Sequence, residues 1–541
     1  MKKSTLLLLP LLLTACGPKE APLPENQAKT QQGILEGTIE DGIRVFKGVP
    51  FAAAPVGDLR WREPQPAVAW EGVRMAKEFG DDPMQPALFG DMNMKGPKKS
   101  EDCLYLNIWA PLQAQKAPVL IYFNGGGLMC GAGSEPRYAG DSLAHHGIVS
   151  ITANYREGYF GFLCHPELTA ESPHHTSGTY GILDQVAAIQ WVKDNIAGFG
   201  GDPDHITIVG ESAGSFSVSL LMGSPLSRQN ICAAIASSGA EFQPMGTTTL
   251  AEAEAAGQAL VESTGKTLAE LRAMTADEVE ALLPIKGMPS LPVEGYLLDK
   301  SLDEIYAANE QAQVPLMGGW NSMEAHPMQH LAGQAPTLAN FRRVMQARFG
   351  DRTDDVLQAF GVKSDADVLR WPAIELSGAL FTAFPTWKWF DYQVKSGNPA
   401  YRYFYTRPRP AMTEKYSDKE AGLAGGVKEK GDEKAVSAPK STNVIMGAVH
   451  SADIEYAMGN LKTNEVFDWQ PADFQTEQNF MHIYINFIKT GNPNGEGVIE
   501  WPAMNGQEVA PVMQIDSVCT IKADAQLEAA YQLLDEIFSA Q

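Results

Sequence analysis

The chain has 541 residues, 44% hydrophobic and 20% charged, a balance that buries a large core and excludes an intrinsically disordered protein. Its formal net charge of −23 comes without any cluster of Lys and Arg, which argues against nucleic acid as a partner, because holding phosphates needs concentrated positive charge. Large α/β enzymes carry their insertions on one sheet, and no period of roughly 20–50 residues repeats, so one catalytic domain is expected.

In chain order, Lys2 and Lys3 precede the apolar run Leu6–Leu13. That run is too short to cross the about 30 Å hydrocarbon of a bilayer as a helix and reads as an export signal. It leads into Leu13-Thr14-Ala15-Cys16, which resembles a bacterial lipobox. Residues 1–15 are then a signal peptide to be removed, and Cys16 a lipidated N-terminus whose several acyl chains give stable anchoring. An ordinary secreted protein cut nearby is the alternative. Residues 16–30, with Pro18, Pro22 and Pro24, suit a flexible tether, and residues 31–541 a single domain. Gly17 lacks the aspartate associated with inner-membrane retention, which favours the outer membrane of a bacterial envelope. In an exported chain Cys103, Cys130, Cys164, Cys232 and Cys519 have an oxidising surrounding, and disulfides and buried thiols both stay open for them.

Ala117–Phe123 and Gly147–Ala153 are apolar runs rich in β-branched or aromatic residues, as expected of buried parallel strands. A helix is expected over Gly181–Asn195, with Ile182, Val186, Ile189 and Val192 at helical spacing, then a strand over Asp204–Val209 and a helix over Ser215–Met222. Further strand candidates are Ala233–Ala236, Val314–Met317 and Tyr401–Tyr405. The reading is an α/β fold: a central, mostly parallel mixed sheet flanked by helices, with large loop and helical insertions. Met412–Lys440 is read as a mobile surface loop, and Leu527, Tyr531, Leu534 and Phe538 as the core stripe of a terminal helix.

Two glycine-rich stretches carry the chemistry. Asn124-Gly125-Gly126-Gly127-Leu128 follows the first strand, and Gly210-Glu211-Ser212-Ala213-Gly214 joins a strand to a helix. A sharp strand-to-helix turn exposes a serine hydroxyl as a nucleophile; an idle serine in a glycine-flanked turn is the plainer reading. A serine nucleophile needs a base and a carboxylate to orient that base. Downstream lie His326, His330, His450 and His482. His482 sits in the apolar run Phe480–Tyr484 and reads as packed core, whereas His450 ends the candidate strand Val444–Val449 where a base belongs. Glu324 follows the strand-like Pro315–Gly319, although spacing alone leaves it at even odds as the acid.

These motifs, with Gly48–Ala52, Pro55–Trp61, Ser100–Asn107, Asn154-Tyr155-Arg156, Leu183-Asp184-Gln185 and Phe199–Pro203, strongly resemble the type-B carboxylesterases, a family that includes the cholinesterases. The resemblance runs from about residue 31 onward and implies an α/β-hydrolase fold. It implies Ser212 as nucleophile, Glu324 as acid, His450 as base, and the amides of Gly126, Gly127 and Ala213 as an oxyanion hole. It places Glu211 and Ser238 beside the triad and makes Arg60 and Glu101 a buried ion pair. No cofactor or metal is expected, since no His-Glu-x-x-His or paired Cys-x-x-Cys occurs.

The chain departs from the family in three places: Asn124 and Leu128 at the ends of the oxyanion loop, Ala325 where glycine follows the acid, and no earlier cysteine to pair with Cys103. The expected activity is carboxylic-ester hydrolysis through an acyl-enzyme, with a small-molecule ester as substrate and the membrane reached through the lipid anchor. A catalytically silent adhesion or binding protein of the same fold and an interfacial lipase are the alternatives. Acyl and alcohol specificity and oligomeric state are not legible in one sequence.

Overall fold

The computed structural model describes residues 23–285, 287–431 and 447–540. Along the strand Ala117–Phe123, the side chains of Val119, Ile121 and Phe123 enter one buried cluster with Ile182, Ile189, Phe216 and Leu220. Leu120 and Tyr122 enter another with Phe480, Tyr484 and Phe487. Successive side chains of a strand point to opposite faces, so a strand apolar at every position must be covered on both. The helices Tyr180–Asn195 and Ala213–Gly223 cover the first face, and the helix Pro471–Thr490 covers the second.

That strand lies next to the central strand of an eleven-stranded sheet. In chain order its members are β1 (Thr38–Glu40), β2 (Ile43–Pro50), β3 (Tyr105–Pro111), β4 (Ala117–Phe123), β5 (Val149–Ala153) and β6 (Gly201–Glu211). Then come β7 (Ala233–Ser237), β8 (Leu316–Asn321), β9 (Ala400–Tyr405), β10 (Val512–Ile515) and β11 (Thr520–Lys522). Their spatial order is β11-β10-β9-β8-β7-β6-β4-β5-β3-β2-β1. From β5 to β10 all neighbours are parallel, and antiparallel strands close both ends. Strand order reverses between β4 and β6, the kind of switch point beyond which open α/β sheets place their ligands. This is the α/β-hydrolase architecture expected from the sequence.

Where boundaries moved, the cause is local. β8 starts at Leu316 because Pro315 has no N–H to give the ladder, and it continues through Gly318 and Gly319. A Cβ at Gly318 would lie 2.2 Å from the Ala236 carbonyl oxygen, and one at Gly319 would lie 2.0 Å from that of Tyr403.

Three expectations need correction. Gln27–Lys29 is a strand paired with Ile34–Glu36, so the folded unit takes in the end of the expected tether. The described part of Met412–Lys440 contains an antiparallel hairpin, Lys419–Ala421 with Val427–Glu429. His482 is only half-buried, on the helix Pro471–Thr490, because it falls off that helix's buried face. The terminal helix Ala525–Ser539 does bury Tyr531, Leu534 and Phe538 against Phe341, Phe360 and Phe384. The expected signal peptide (residues 1–15), Cys16, residues 432–440 and Val444–Met446 lie outside the described residues. Among the described residues, Ala448 and Val449 form no strand, Val449 making only an isolated bridge to Met323.

The five cysteines of the described residues are free thiols; burial pushes that of Cys103 well above its ordinary range. Among the described residues, no helix is long and apolar enough to cross a membrane, and no cluster of three His, Cys, Asp or Glu side chains is arranged to hold a metal.

Candidate active site

β6 ends at Glu211 and the next helix begins at Ala213, so Ser212 makes the whole turn, at φ +56° and ψ −125°. Such a backbone costs a non-glycine residue about 1–3 kcal/mol and persists only where the surroundings fix it. The Ser212 N–H donates to Ser237 O at 2.9 Å, and its carbonyl accepts from Ser215 and Phe216 N–H at 2.8 and 3.0 Å. The flanking glycines answer to space. A Cβ at Gly210 would lie 2.2 Å from the Gly214 carbonyl, and one at Gly214 would lie 2.1 Å from Phe123 O. The Gly-x-Ser-x-Gly pattern is therefore the sequence of a strand, turn and helix closed too tightly for any other residue at either end.

Glu324 lies just beyond β8. Its Oε1 accepts from the Asn321 N–H at 2.5 Å and from Ser238 Oγ at 2.6 Å, and its Oε2 lies 2.5 Å from His450 Nδ1. The loop bearing His450 is stitched to the same turn: Met323 N–H donates to Ala448 O at 2.8 Å, and Ala448 N–H to Ser322 Oγ at 2.8 Å. His450 Nε2 lies 2.9 Å from Ser212 Oγ, bringing together residues 238 positions apart. A neutral imidazole that donates its Nδ1–H to Glu324 presents the Nε2 lone pair to the serine hydroxyl.

The electrostatics follow from burial and crowded carboxylates. Glu211 Oε1 lies 3.3 Å from His450 Nε2, and Asp453 is held by Asn321 Nδ2 at 3.1 Å. Burial pushes the His450 imidazole down, but the charges of Glu211 and Glu324, with Asp453 behind them, outweigh it and hold it up at about 9. Burial raises Glu211 to about 7 against the pull of His450, and Asp453 to about 6.

The loop after β4 lies against this relay, since a Cβ on Gly125 would come within 2.9 Å of Ser212 Cβ. Gly126 and Gly127 have φ of +117° and +69°, and a Cβ on Gly126 would lie 1.8 Å from Cys130 O. The amides of Gly126, Gly127 and Ala213 have no hydrogen-bond acceptor among the described residues. Asn124 Nδ2 donates to Gly125 O at 3.0 Å and to Glu157 Oε1 at 3.1 Å. Because the Gly125 C=O and Gly126 N–H share one planar peptide and point oppositely, holding the carbonyl aims the amide.

A cavity of about 530 Å³ opens over Ser212, walled by apolar side chains such as Leu88, Phe89, Met92, Met245 and Leu380. Phe381 sits edge-on to His450, ring centres 5.0 Å apart, within a π-helical segment, Ala379–Ala383. Elsewhere Arg60 and Glu101 form the expected buried pair at 2.6 and 2.7 Å. Ala325 lies outside the positive-φ region, so the exchange of glycine there brings no backbone strain.

The structure thus brings together Ser212, Glu324, His450, Glu211 and Ser238, with Gly126, Gly127 and Ala213 beside them. Sequence reading missed Asn321, Asp453, Phe381 and the Asn124–Glu157 contact. Asp453 lies three residues beyond His450, a proximity that could have flagged it; the Asn124–Glu157 contact spans 33 positions and left no local signal.

The chain matches the Carboxylesterase family over residues 24–532. It is 31% identical to liver carboxylesterase 1 of Oryctolagus cuniculus over 88% of this chain and 86% of that protein. It is 28% identical to para-nitrobenzyl esterase of Bacillus subtilis over 93% and 97%, and 38% identical to fumonisin B1 esterase of Sphingopyxis macrogoltabida over 64% of each. Among solved structures, a PNB esterase superposes with a TM-score of 0.76 at 26% identity, covering 94% of this chain and 99% of that one. A carboxylesterase of Geobacillus stearothermophilus gives 0.76 at 27%, with the same coverage. The chain belongs to the carboxylesterase family and is a carboxylic-ester hydrolase of the α/β-hydrolase fold.

Proposed function

We propose that ester hydrolysis proceeds through an acyl-enzyme on Ser212. His450 Nε2 takes the hydroxyl proton as Oγ attacks the ester carbonyl and returns it to the departing alcohol; water, deprotonated by the same imidazole, then releases the acid. Glu324 fixes the imidazole's tautomer and balances its charge. The amides of Gly126, Gly127 and Ala213 bind the developing oxyanion, a service for which losing one donor costs about 3 kcal/mol. Ser238 anchors Glu324, and Glu211 stabilises the imidazolium from its other side.

The carrying observation is the relay itself, Ser212 Oγ to His450 Nε2 at 2.9 Å and His450 Nδ1 to Glu324 at 2.5 Å. It also favours turnover over a silent adhesion protein. The test is 4-nitrophenyl acetate hydrolysis by purified protein and by Ser212→Ala with an unchanged circular dichroism spectrum. Loss of at least a thousandfold is expected, and turnover retained by the variant would refute the assignment.

The relatives are named for different esters, so the reading stops at carboxylic esters of small molecules. We extend it to an envelope lipoprotein anchored through Cys16 in the outer membrane, supported by Lys2, Lys3, the apolar run Leu6–Leu13 and Leu13-Thr14-Ala15-Cys16. Labelling with an alkyne fatty acid, lost in Cys16→Ala together with membrane fractionation, is the expected result.

A further inference from the structure

Beyond the groups tied to Ser212, the charged lining of the cavity has one sign. Glu211 and Glu324 are its carboxylates, and the other ionisable side chains on its wall besides His450 are Arg137, Arg348, His326 and His330. This is an inversion in a chain with 65 acidic and 42 basic residues.

Arg137, its side chain 9% exposed, gives Nε to Glu135 at 2.6 Å and leaves its Nη1 without a partner. Its charge is already met by Glu135, so it sets the local potential more than it seeks a ligand. The other basic wall is different. His330 keeps its Nε2 buried with no hydrogen-bond partner among the described residues. Burial, then the nearby charge of Arg348, depresses its imidazole. Arg348, exposed near the end of the helix Leu338–Phe349, lines the cavity and forms no ion pair among the described residues. A solvent-exposed guanidinium without a counter-ion, lining an otherwise apolar cavity with a buried, unfilled imidazole nitrogen nearby, offers what an arriving carboxylate needs. The guanidinium supplies paired charge-assisted hydrogen bonds and the imidazole a further donor.

We propose that the preferred substrates are esters carrying a free carboxylate, such as half-esters of dicarboxylic acids, with that carboxylate seated on Arg348 and His330 while Ser212 meets the ester carbonyl. The proposal rests on the Ser212 reading and names the substrate class of that same site. Arg348 and His330 are specificity residues here and take no part in proton transfer.

Two matched pairs of substrates test it. Mono-4-nitrophenyl adipate against 4-nitrophenyl hexanoate places the charge on the acyl half, and 4-acetoxybenzoate against phenyl acetate places it on the alcohol half. For at least one pair, the anionic-to-neutral ratio of kcat/KM should fall about five- to tenfold in Arg348→Gln, carried by the KM of the anionic ester, and further in Arg348→Glu. His330→Asn should lower the same ratio, and 0.5 M salt should compress it in the parent protein, since an accessible ion pair is screened. If the parent protein turns over the neutral esters and both ratios stay within twofold across all three variants, the carboxylate site is refuted while ester hydrolysis stands. If the neutral esters are not turned over, it is the Ser212 reading that fails.

Discussion

Replacing Asn124 by alanine tests whether the oxyanion loop is aimed by a side chain. The amide of Asn124 holds the Gly125 carbonyl at 3.0 Å and is itself held by Glu157 at 3.1 Å. Glu157 is buried, and burial pushes its carboxyl well above the ordinary range. In Asn124→Ala the Gly125–Gly126 peptide loses its tether and the Gly126 N–H wanders, while the other two proposed donors remain. Deleting a donor outright costs about 3 kcal/mol, and loosening one is expected to cost about half of that, roughly tenfold in kcat. The assay pairs kcat on 4-nitrophenyl acetate with the inhibition constant of an aryl trifluoromethyl ketone, whose serine adduct carries the same oxyanion. Both should worsen by about tenfold with KM within twofold, since the interaction is made only as charge develops. Loss of the Asn124 donor to buried Glu157 should also lower the melting temperature by an amount reflecting about 1–3 kcal/mol. A kcat loss with unchanged ketone affinity would show that Asn124 supports the fold and does not aim the amide.

Other expectations come from the charges around His450. The base must be neutral to work, so kcat/KM should rise with pH as the imidazole, held up at about 9, loses its proton. Glu211→Gln removes the strongest attraction holding that proton and should move the rising limb at least one unit toward acid; a limb that stays or moves upward would contradict the placement of Glu211. Stability should fall as pH rises from about 5 to 9. His450 (about 9), Glu241 (about 8), Glu375 (about 7) and Asp453 (about 6) all bind protons more tightly folded than unfolded, and that advantage is lost as each deprotonates. Calorimetry showing a higher melting temperature at pH 8.5 than at pH 5.5 would overturn this. Arg60→Met should destabilise the protein by about 3–5 kcal/mol, because it strands Glu101 and the carbonyls of Leu271 and Met274 that Arg60 now satisfies, with kcat within twofold; denaturant titration checks it.

What the chain states by itself is what short-range sterics and periodicity encode. Apolar runs such as Ala117–Phe123 announce buried strands because both faces are covered, and Gly210-Glu211-Ser212-Ala213-Gly214 announces its turn because no Cβ fits at either glycine. The order of serine, acid and histidine, with the family's motifs, pointed to three side chains that the structure brings within hydrogen-bond reach of one another. What the sequence left open depended on residues meeting across long separations. Spacing could not choose Glu324; its choice in space follows from Ser238, Asn321 and His450 converging on one carboxylate. Asn124, a departure from the family's loop when read in sequence, acquires a partner in Glu157 only when β4 and the chain after β5 come side by side. The basic wall of the cavity was equally invisible, because Arg137, His330 and Arg348 come from separate segments of an acidic chain, and only the packed sheet and its helices set their charges around one space.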